Sequence, residues 1–304
     1  MSAAAVVPAV RDDAPGGRTA SRARRRRRLP RPGGIAAFIF GTVWLCVVLF
    51  PVYYMVLASF RSQPAYLSAN PWVPNGGFSL SSWAQLFRGT SMATYLLNSV
   101  LYTAGTIVVV VVVSLMAAFR IVRGQTRLGP VAFRLILLGL AVSIYAVLIP
   151  LYAITSELHL YDTVLGLILV TSAASISLAV LLTVNYVRLI PAELFDAMAV
   201  DGASELEVFT KLVFPMARPV VGVVAIWAGI GAWNNFVLPL ILTQSTGSTV
   251  LPLGIFSIYT TNSGYGVNVP IVMAGCLFSL LPLLLLYLAL RRQFVRGLGA
   301  FALR

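Results

Sequence analysis

Five carboxylates and the chain's single lysine crowd one stretch, Ile190 to Pro219, read IPAELFDAMAVDGASELEVFTKLVFPMARP. The acids are Glu193, Asp196, Asp201, Glu205 and Glu207, five of only nine in 304 residues, and the lysine is Lys211. Carboxylates at this spacing, without a histidine or cysteine among them, offer neither a nucleophile with its base nor a metal-ligand set. Their chemistry is charge pairing: a polar surface that docks on a basic partner. The rest of the chain holds little else that could react. The only histidine, His159, sits in the short loop 155–162 with Glu157 and Asp162 and reads as solvated. No catalytic residue, cofactor site or metal site is expected.

The missing chemistry bounds the function. A P-loop needs Gly-Lys-Ser/Thr so that the lysine reaches the phosphates. Here the one lysine stands in Thr210-Lys211-Leu212, so the chain carries no P-loop of its own. Ion-driven carriers place ionisable groups inside the membrane. No acidic residue lies inside any apolar run of this sequence. If the chain takes part in active transport, energy must arrive through a cytoplasmic partner, and the polar stretch is where it could arrive.

The elements that hold this stretch are apolar. Hydrophobic residues make up 59% and charged residues 10%, and mean hydropathy is +0.90, the profile of a polytopic membrane protein. A bilayer span needs about 20 apolar residues. Six runs qualify: Ile35–Phe60, Tyr95–Phe119, Val131–Ile154, Thr163–Val187, Val220–Leu242 and Val269–Leu290. The β-branched run Val108 to Val113 reads as helix because lipid leaves the backbone no other partner. Residues 1–33, rich in Arg, Ala, Pro and Gly, are expected to form a disordered tail before a membrane domain spanning 34–304. Cys46 and Cys276 fall in apolar runs and read as small buried hydrophobes.

Net charge is +13. Its distribution argues against nucleic acid, because arginines gather at the ends of apolar runs. With the N-terminus placed in the cytoplasm, twenty of the 22 basic residues fall on the inner side, leaving only Arg61 and Arg88 outside. Six spans then return the C-terminus to the cytoplasm. The loops Arg61–Ala93 and Thr243–Asn268 become external, facing either an extracytoplasmic partner or plain solvent.

Within the polar stretch, Pro191 suits a first helical turn and Glu193 suits a helix N-terminus. Leu194 with Met198, and Phe195 with Ala199, make an apolar strip. Asp201-Gly202 breaks the helix, Gly202 supplying the left-handed conformation of a reversal. Ser204 and Glu207 fit a capping box opening a second helix, with Leu206, Phe209 and Val213 on one side and Pro215 and Pro219 ending it. The reading is helix, glycine turn, helix along the cytoplasmic face. It serves either as a docking element or as an amphipathic hairpin on the membrane surface.

Asp196-Ala197-Met198, Gly202 and Leu212-Val213-Phe214-Pro215 resemble the EAA loop of the permease subunits of bacterial ABC importers. The family pattern is Glu-Ala-Ala, three residues, Gly, nine residues, then an apolar residue, any residue and Leu-Pro. Aspartate stands here for the glutamate, Met198 for the second alanine and Phe214 for the leucine. Further stretches are similar to the smaller six-helix permeases of maltose and glycerol-phosphate importers. They are Leu97-Asn98-Ser99, Ala118-Phe119-Arg120 with Arg123-Gly124, Ile149-Pro150-Leu151-Tyr152, Trp233-Asn234-Asn235-Phe236 and Arg291-Arg292-Gln293-Phe294-Val295-Arg296-Gly297-Leu298.

The resemblance implies an all-α fold of six transmembrane helices with a cytoplasmic helix-turn-helix coupling loop at 188–219, in a bacterial inner membrane. It implies that the chain is not itself an enzyme. A second permease subunit would complete the pore as a heterodimer. Two cytoplasmic ATP-binding subunits would drive it, and an extracytoplasmic solute-binding protein would deliver a sugar or oligosaccharide. Coupling to the ATPase would fall to Glu193, Asp196, Ala197, Asp201, Gly202, Ala203 and Phe209, Asp196 pairing with a basic group. Polar residues within the spans mark the substrate path or else helix-to-helix hydrogen bonds: Tyr145, Tyr152, Asn185, Asn234 and Asn235. The alternatives are a permease for a peptide, phosphate or amino acid, and an ion-coupled carrier acting alone.

Overall fold

The computed structural model describes residues 32–301 apart from 69, 75–76, 125–127 and 262–266, with side chains over 37–260 and 267–285. The expected disordered tail lies outside the described residues up to position 31, and a helix already runs from Pro32. No strand occurs among the described residues.

The helices are α1 (Pro32–Ser59), α2 (Gln63–Ser68), α3 (Ser81–Gly89), α4 (Met92–Arg123), α5 (Leu128–Leu138), α6 (Leu148–Glu157) and α7 (Val164–Val187). After them come α8 (Ala192–Val200), α9 (Glu205–Glu207), α10 (Phe214–Trp233), α11 (Val237–Leu242), α12 (Leu251–Thr261) and α13 (Val269–Phe301). Two compact units meet at Leu49. In the first, the described side chains of α1 from Ala37 to Leu49 are all exposed, and most are apolar.

The second unit is built on α4 and α7. Tyr102 reaches Thr171, and Thr183 donates to the Ser114 carbonyl. Both pairs are 69 residues apart, so the two helices run parallel in constant register. α10 packs against both, and Val110, Leu115, Val180, Val184, Val213 and Val224 fill the space between them. At 1.5 Å per residue α7 is about 36 Å long, enough to separate the loops at its two ends by a bilayer.

Among the described residues, four helices are long and apolar enough to cross a membrane: Ala37–Ser59, Met92–Arg123, Val164–Val187 and Glu205–Trp233. The third expected span is not one straight helix. Its halves, Leu128–Ala141 and Ile144–Glu157, meet at 89° around two 3₁₀ turns. Gly139 lies so close to α7 that a Cβ there would sit 2.3 Å from the Ser177 hydroxyl, and the helix gives way at that contact.

The fifth span also differs from expectation at both ends. Pro215 and Pro219 do not end the second hairpin helix, which continues from Glu205 into α10. A π-helical segment, Val208–Val213, ends one residue short of Pro215, with Phe214 between them. Proline lacks an N–H and clashes with the carbonyl four residues back, and a π turn shifts that carbonyl out of register. At the far end the helix stops at Trp233, so Asn234 and Asn235 lie in a break before α11 rather than inside a span.

Candidate functional site

The polar stretch folds as a hairpin of one short helix, α8, and the first turns of the long helix that runs on from Glu205 into α10. α8 ends in a Schellman motif: the Gly202 N–H donates to the Ala199 carbonyl at 3.1 Å and the Ala203 N–H to the Met198 carbonyl at 3.0 Å. Gly202 has φ +70°, and a Cβ added there would meet nothing within 4 Å, so glycine is required by backbone conformation alone. The second helix opens on a complete capping box. Ser204 Oγ accepts from the Glu207 N–H, and Glu207 Oε2 accepts from the Ser204 N–H at 3.0 Å. The ammonium of Lys211 donates to Glu207 Oε1 at 2.7 Å. That bond, with the backbone and hydroxyl of Ser204, lowers the Glu207 carboxyl from 4.5 to about 2.

The hairpin is fastened to the end of α4. Phe195 is buried beneath the guanidinium of Arg123, which stands 5.1 Å from the ring centroid. Phe209 meets Phe119 at 5.7 Å between centroids, and Arg120 pairs with Glu205 at 2.5 Å. Phe209 therefore faces inward as an anchor, and Ala203 is half-buried beside the same core. Glu193, Asp196, Ala197, Asp201 and Gly202 are exposed. The carboxylates of Glu193, Asp196 and Asp201 have no hydrogen-bond or ion-pair partner among the described residues. Leu206, expected on the inner face, is 71% exposed, because it sits in the first turn ahead of the π segment that carries Phe209 and Val213 inward. Val200 is 87% exposed. Unpaired acids and bare aliphatic side chains thus share the outer surface of the hairpin.

The five residues singled out within the spans do not converge. Tyr145, in the 3₁₀ turn before α6, is exposed, as are Asn185 on α7 and Asn234. Asn234 Nδ2 donates back to the Ile230 carbonyl at 2.9 Å. Tyr152 packs edge-on against Tyr161 at 5.1 Å. Asn235 alone joins a network: its Nδ2 donates to the Tyr102 hydroxyl at 3.2 Å, and Tyr102 shares a 2.6 Å hydrogen bond with Thr171. Its Oδ1 also accepts the Leu238 N–H, capping α11. Tyr102 and Thr171 are buried in the α4–α7 interface and gave no signal beyond ordinary helix residues.

At the opposite end of α7 the structure adds a residue that sequence reasoning passed over. Asp162 adopts φ +58°, and its Oδ1 accepts from the Gln244 N–H at 2.8 Å, the Ser245 N–H at 2.9 Å and the Ser248 hydroxyl. Its own N–H donates to the Leu242 carbonyl at 2.9 Å. Partial burial pushes this carboxyl up, but the three donors outweigh it and lower the value from 3.8 to about 2. Asp162 thus ties the loop before α7 to the loop after α11.

The model of the binding-protein-dependent transport system inner membrane component matches residues 110–299, which include the hairpin. The chain belongs to that family. A chain of Caldicellulosiruptor sp. (strain Rt8B.4) named as an ABC transporter permease is 33% identical, covering 88% of this chain and 96% of that one. The diacetylchitobiose uptake system permease of Streptomyces coelicolor is 26% identical over 83% of this chain and 82% of its own. In a crystal structure of a bacterial ABC transporter that imports alginate, one chain shares the fold. Its TM-score is 0.77 at 19% identity, covering 86% of this chain and 96% of that chain. The permease is therefore a multi-pass inner-membrane subunit of an ABC importer, which sets aside the ion-coupled carrier.

Proposed function

We propose that this permease forms half of the translocation pore of a sugar or oligosaccharide importer and receives its driving force through the hairpin 190–219. The observation that carries the coupling role is the outer face of that hairpin. Glu193, Asp196 and Asp201 are exposed without partners, while Phe195 and Phe209 fasten the hairpin to α4. Unpaired acids beside bare Val200 and Leu206 match a basic-rimmed, apolar-floored cleft on a separate ATP-binding subunit. Two such subunits would sit below a heterodimer of this chain and a second permease. A solute-binding protein would deliver substrate from outside. In this arrangement both termini are cytoplasmic, as the arginine distribution favours. The two capped helices form a stiff unit, so closure of the ATP-binding subunits would move the hairpin and the end of α4 as one rigid body.

Support for sugar comes from the named substrates of relatives such as the diacetylchitobiose permease. The test uses the assembled transporter. Asp196→Lys is expected to abolish co-purification with the ATP-binding subunit and to remove substrate-stimulated ATP hydrolysis. Full association and full stimulation in that variant would end the docking role. Uptake of labelled saccharides by the reconstituted complex, measured against peptide and phosphate, decides the substrate class.

A further inference from the structure

One cavity lies apart from both the hairpin and the Asp162 junction. It has a volume of about 340 Å³ and opens between the end of α3, the first turn of α4, α12 and the start of α13. That size falls within the range of small-ligand pockets, about 300–1,000 Å³. Gln85, Ser91, Tyr95 and Ser257 line it, with Ile258 and Ile271 as apolar sides. No lining side chain is ionised. The Gln85 amide, the Ser91 hydroxyl and the Tyr95 phenol make no side-chain hydrogen bond to any described residue. Ser257 donates to the Gly254 carbonyl at 2.7 Å, which leaves its oxygen free to accept.

The walls are held in place by bonds that do not involve the cavity. Tyr95 rests on the bare backbone of Gly254, where a Cβ would lie 2.2 Å from the ring. One turn further along α4, Asn98 Nδ2 donates to the carbonyls of Gly247 and Thr249, both at 2.9 Å. Ser99 Oγ accepts the Leu251 N–H at 2.7 Å. These bonds fix the start of α12 against α4, so the pocket is preformed and its free polar groups keep their positions.

We propose that this cavity is a sugar subsite, seating one uncharged saccharide unit as it enters from the extracytoplasmic side. The proposal rests on the sugar-import reading above. A saccharide unit offers hydroxyls that both donate and accept, and the amide, hydroxyl and phenol here can each do both. Tyr95 adds an aromatic surface for the C–H edges of the ring. A phosphate, carboxylate or ammonium would find no counter-charge, and burying it unpaired is costly.

The test uses the whole reconstituted transporter with its binding protein, and glucose, maltose, raffinose and diacetylchitobiose as probes. In a background with Cys46 and Cys276 replaced by alanine, Ser91→Cys is labelled from outside with a hydrophilic maleimide. The sugar that wild type transports is expected to slow labelling about three- to tenfold, the occupancy effect of one or two hydrogen bonds. In a second measurement, Gln85→Ala and Tyr95→Phe are expected to shift relative uptake among the sugars by a similar factor. Equal labelling with and without sugar, or no labelling in either condition because a partner chain fills the cavity, overturns the subsite. Uniform changes across all four sugars also overturn it. If the reconstituted complex moves peptide or phosphate and no saccharide, the sugar-import reading fails first, and the subsite with it.

Discussion

The two ends of α7 carry carboxylates that the fold treats in opposite ways. At one end every described feature of Asp162 is used up inside the chain: three donors on one oxygen, and a backbone held at positive φ to present it. At the other end Glu193, Asp196 and Asp201 stand exposed and unpaired on a hairpin whose own stability comes from other groups. The Schellman turn, the capping box and the Arg123–Phe195 and Phe119–Phe209 contacts hold the hairpin without them. An acid that the fold needs shows a lowered carboxyl and a list of donors. Glu193, Asp196 and Asp201, the acids proposed to meet a partner, collect no donor among the described residues. Glu207 makes the same point inside the hairpin, since its oxygens are taken by Ser204 and Lys211 and it is structural although it neighbours the proposed docking face.

This contrast can be broken most sharply at Gly202. The position has free space but φ +70°, so Gly202→Val meets backbone strain of about 1–2 kcal/mol, while Gly202→Asn, which tolerates the left-handed region, retains the turn. Substrate-stimulated ATP hydrolysis in the assembled complex should fall at least tenfold in the valine variant and be largely kept in the asparagine variant. Equal losses would mean that the reversal is not what positions the acids. At the other end, Asp162→Ala strips three donors of their acceptor and should lower thermal stability of the purified permease by on the order of 2 kcal/mol, with Asp162→Asn recovering part of it. Asp196→Ala should leave that stability unchanged. If the two alanine variants behaved alike, the division between structural and partner-facing acids would be lost.

Acid titration sharpens the same division. The folded values of Glu207 and Asp162 both lie near 2, below their unfolded values of 4.5 and 3.8. A depressed carboxyl stabilises the fold fully above the unfolded value and loses that contribution as pH falls toward the folded one. The contribution of these two carboxyls to stability should therefore hold from neutral pH down to about 4.5 and decline between there and about 2. Glu207→Gln should flatten the upper part of that decline and Asp162→Asn the lower part, read by thermal unfolding across pH.

The hairpin was legible in the sequence because its signals are local. Gly202 after an acid-rich helix and Ser204 with Glu207 three residues on each specify backbone geometry within one turn. The long apolar runs were legible for the same reason, since composition alone sets a span. What sequence missed depends on pairs far apart in the chain. Asp162 binds residues 82 to 86 positions away, and Tyr102 meets Thr171 and Asn235 at 69 and 133. The break in the third run follows from Gly139 lying against Ser177, and the continuity through Pro215 follows from a π segment that no residue pattern announces. Phe209 looked like a docking residue beside the acids, and only the position of Phe119 turned it into an anchor.

The smallest expected effect falls on the ion pair that joins the two kinds of acid. Glu205 lies on the hairpin but is bound to Arg120 on α4, with both side chains about two-thirds exposed. An exposed pair contributes roughly 0.2–1 kcal/mol, so Arg120→Glu alone should cost little stability. Its consequence for coupling is separate, because the pair ties the hairpin to α4 beside the Arg123–Phe195 and Phe119–Phe209 contacts. Exchanging the charges, Arg120→Glu with Glu205→Arg, keeps the attraction and should restore stimulated ATP hydrolysis to the wild-type level if the contact acts only as a link. A swapped pair that stays as impaired as the single Arg120→Glu variant would place Arg120 or Glu205 among the groups that face the partner, and move Glu205 from the structural set of acids to the docking set.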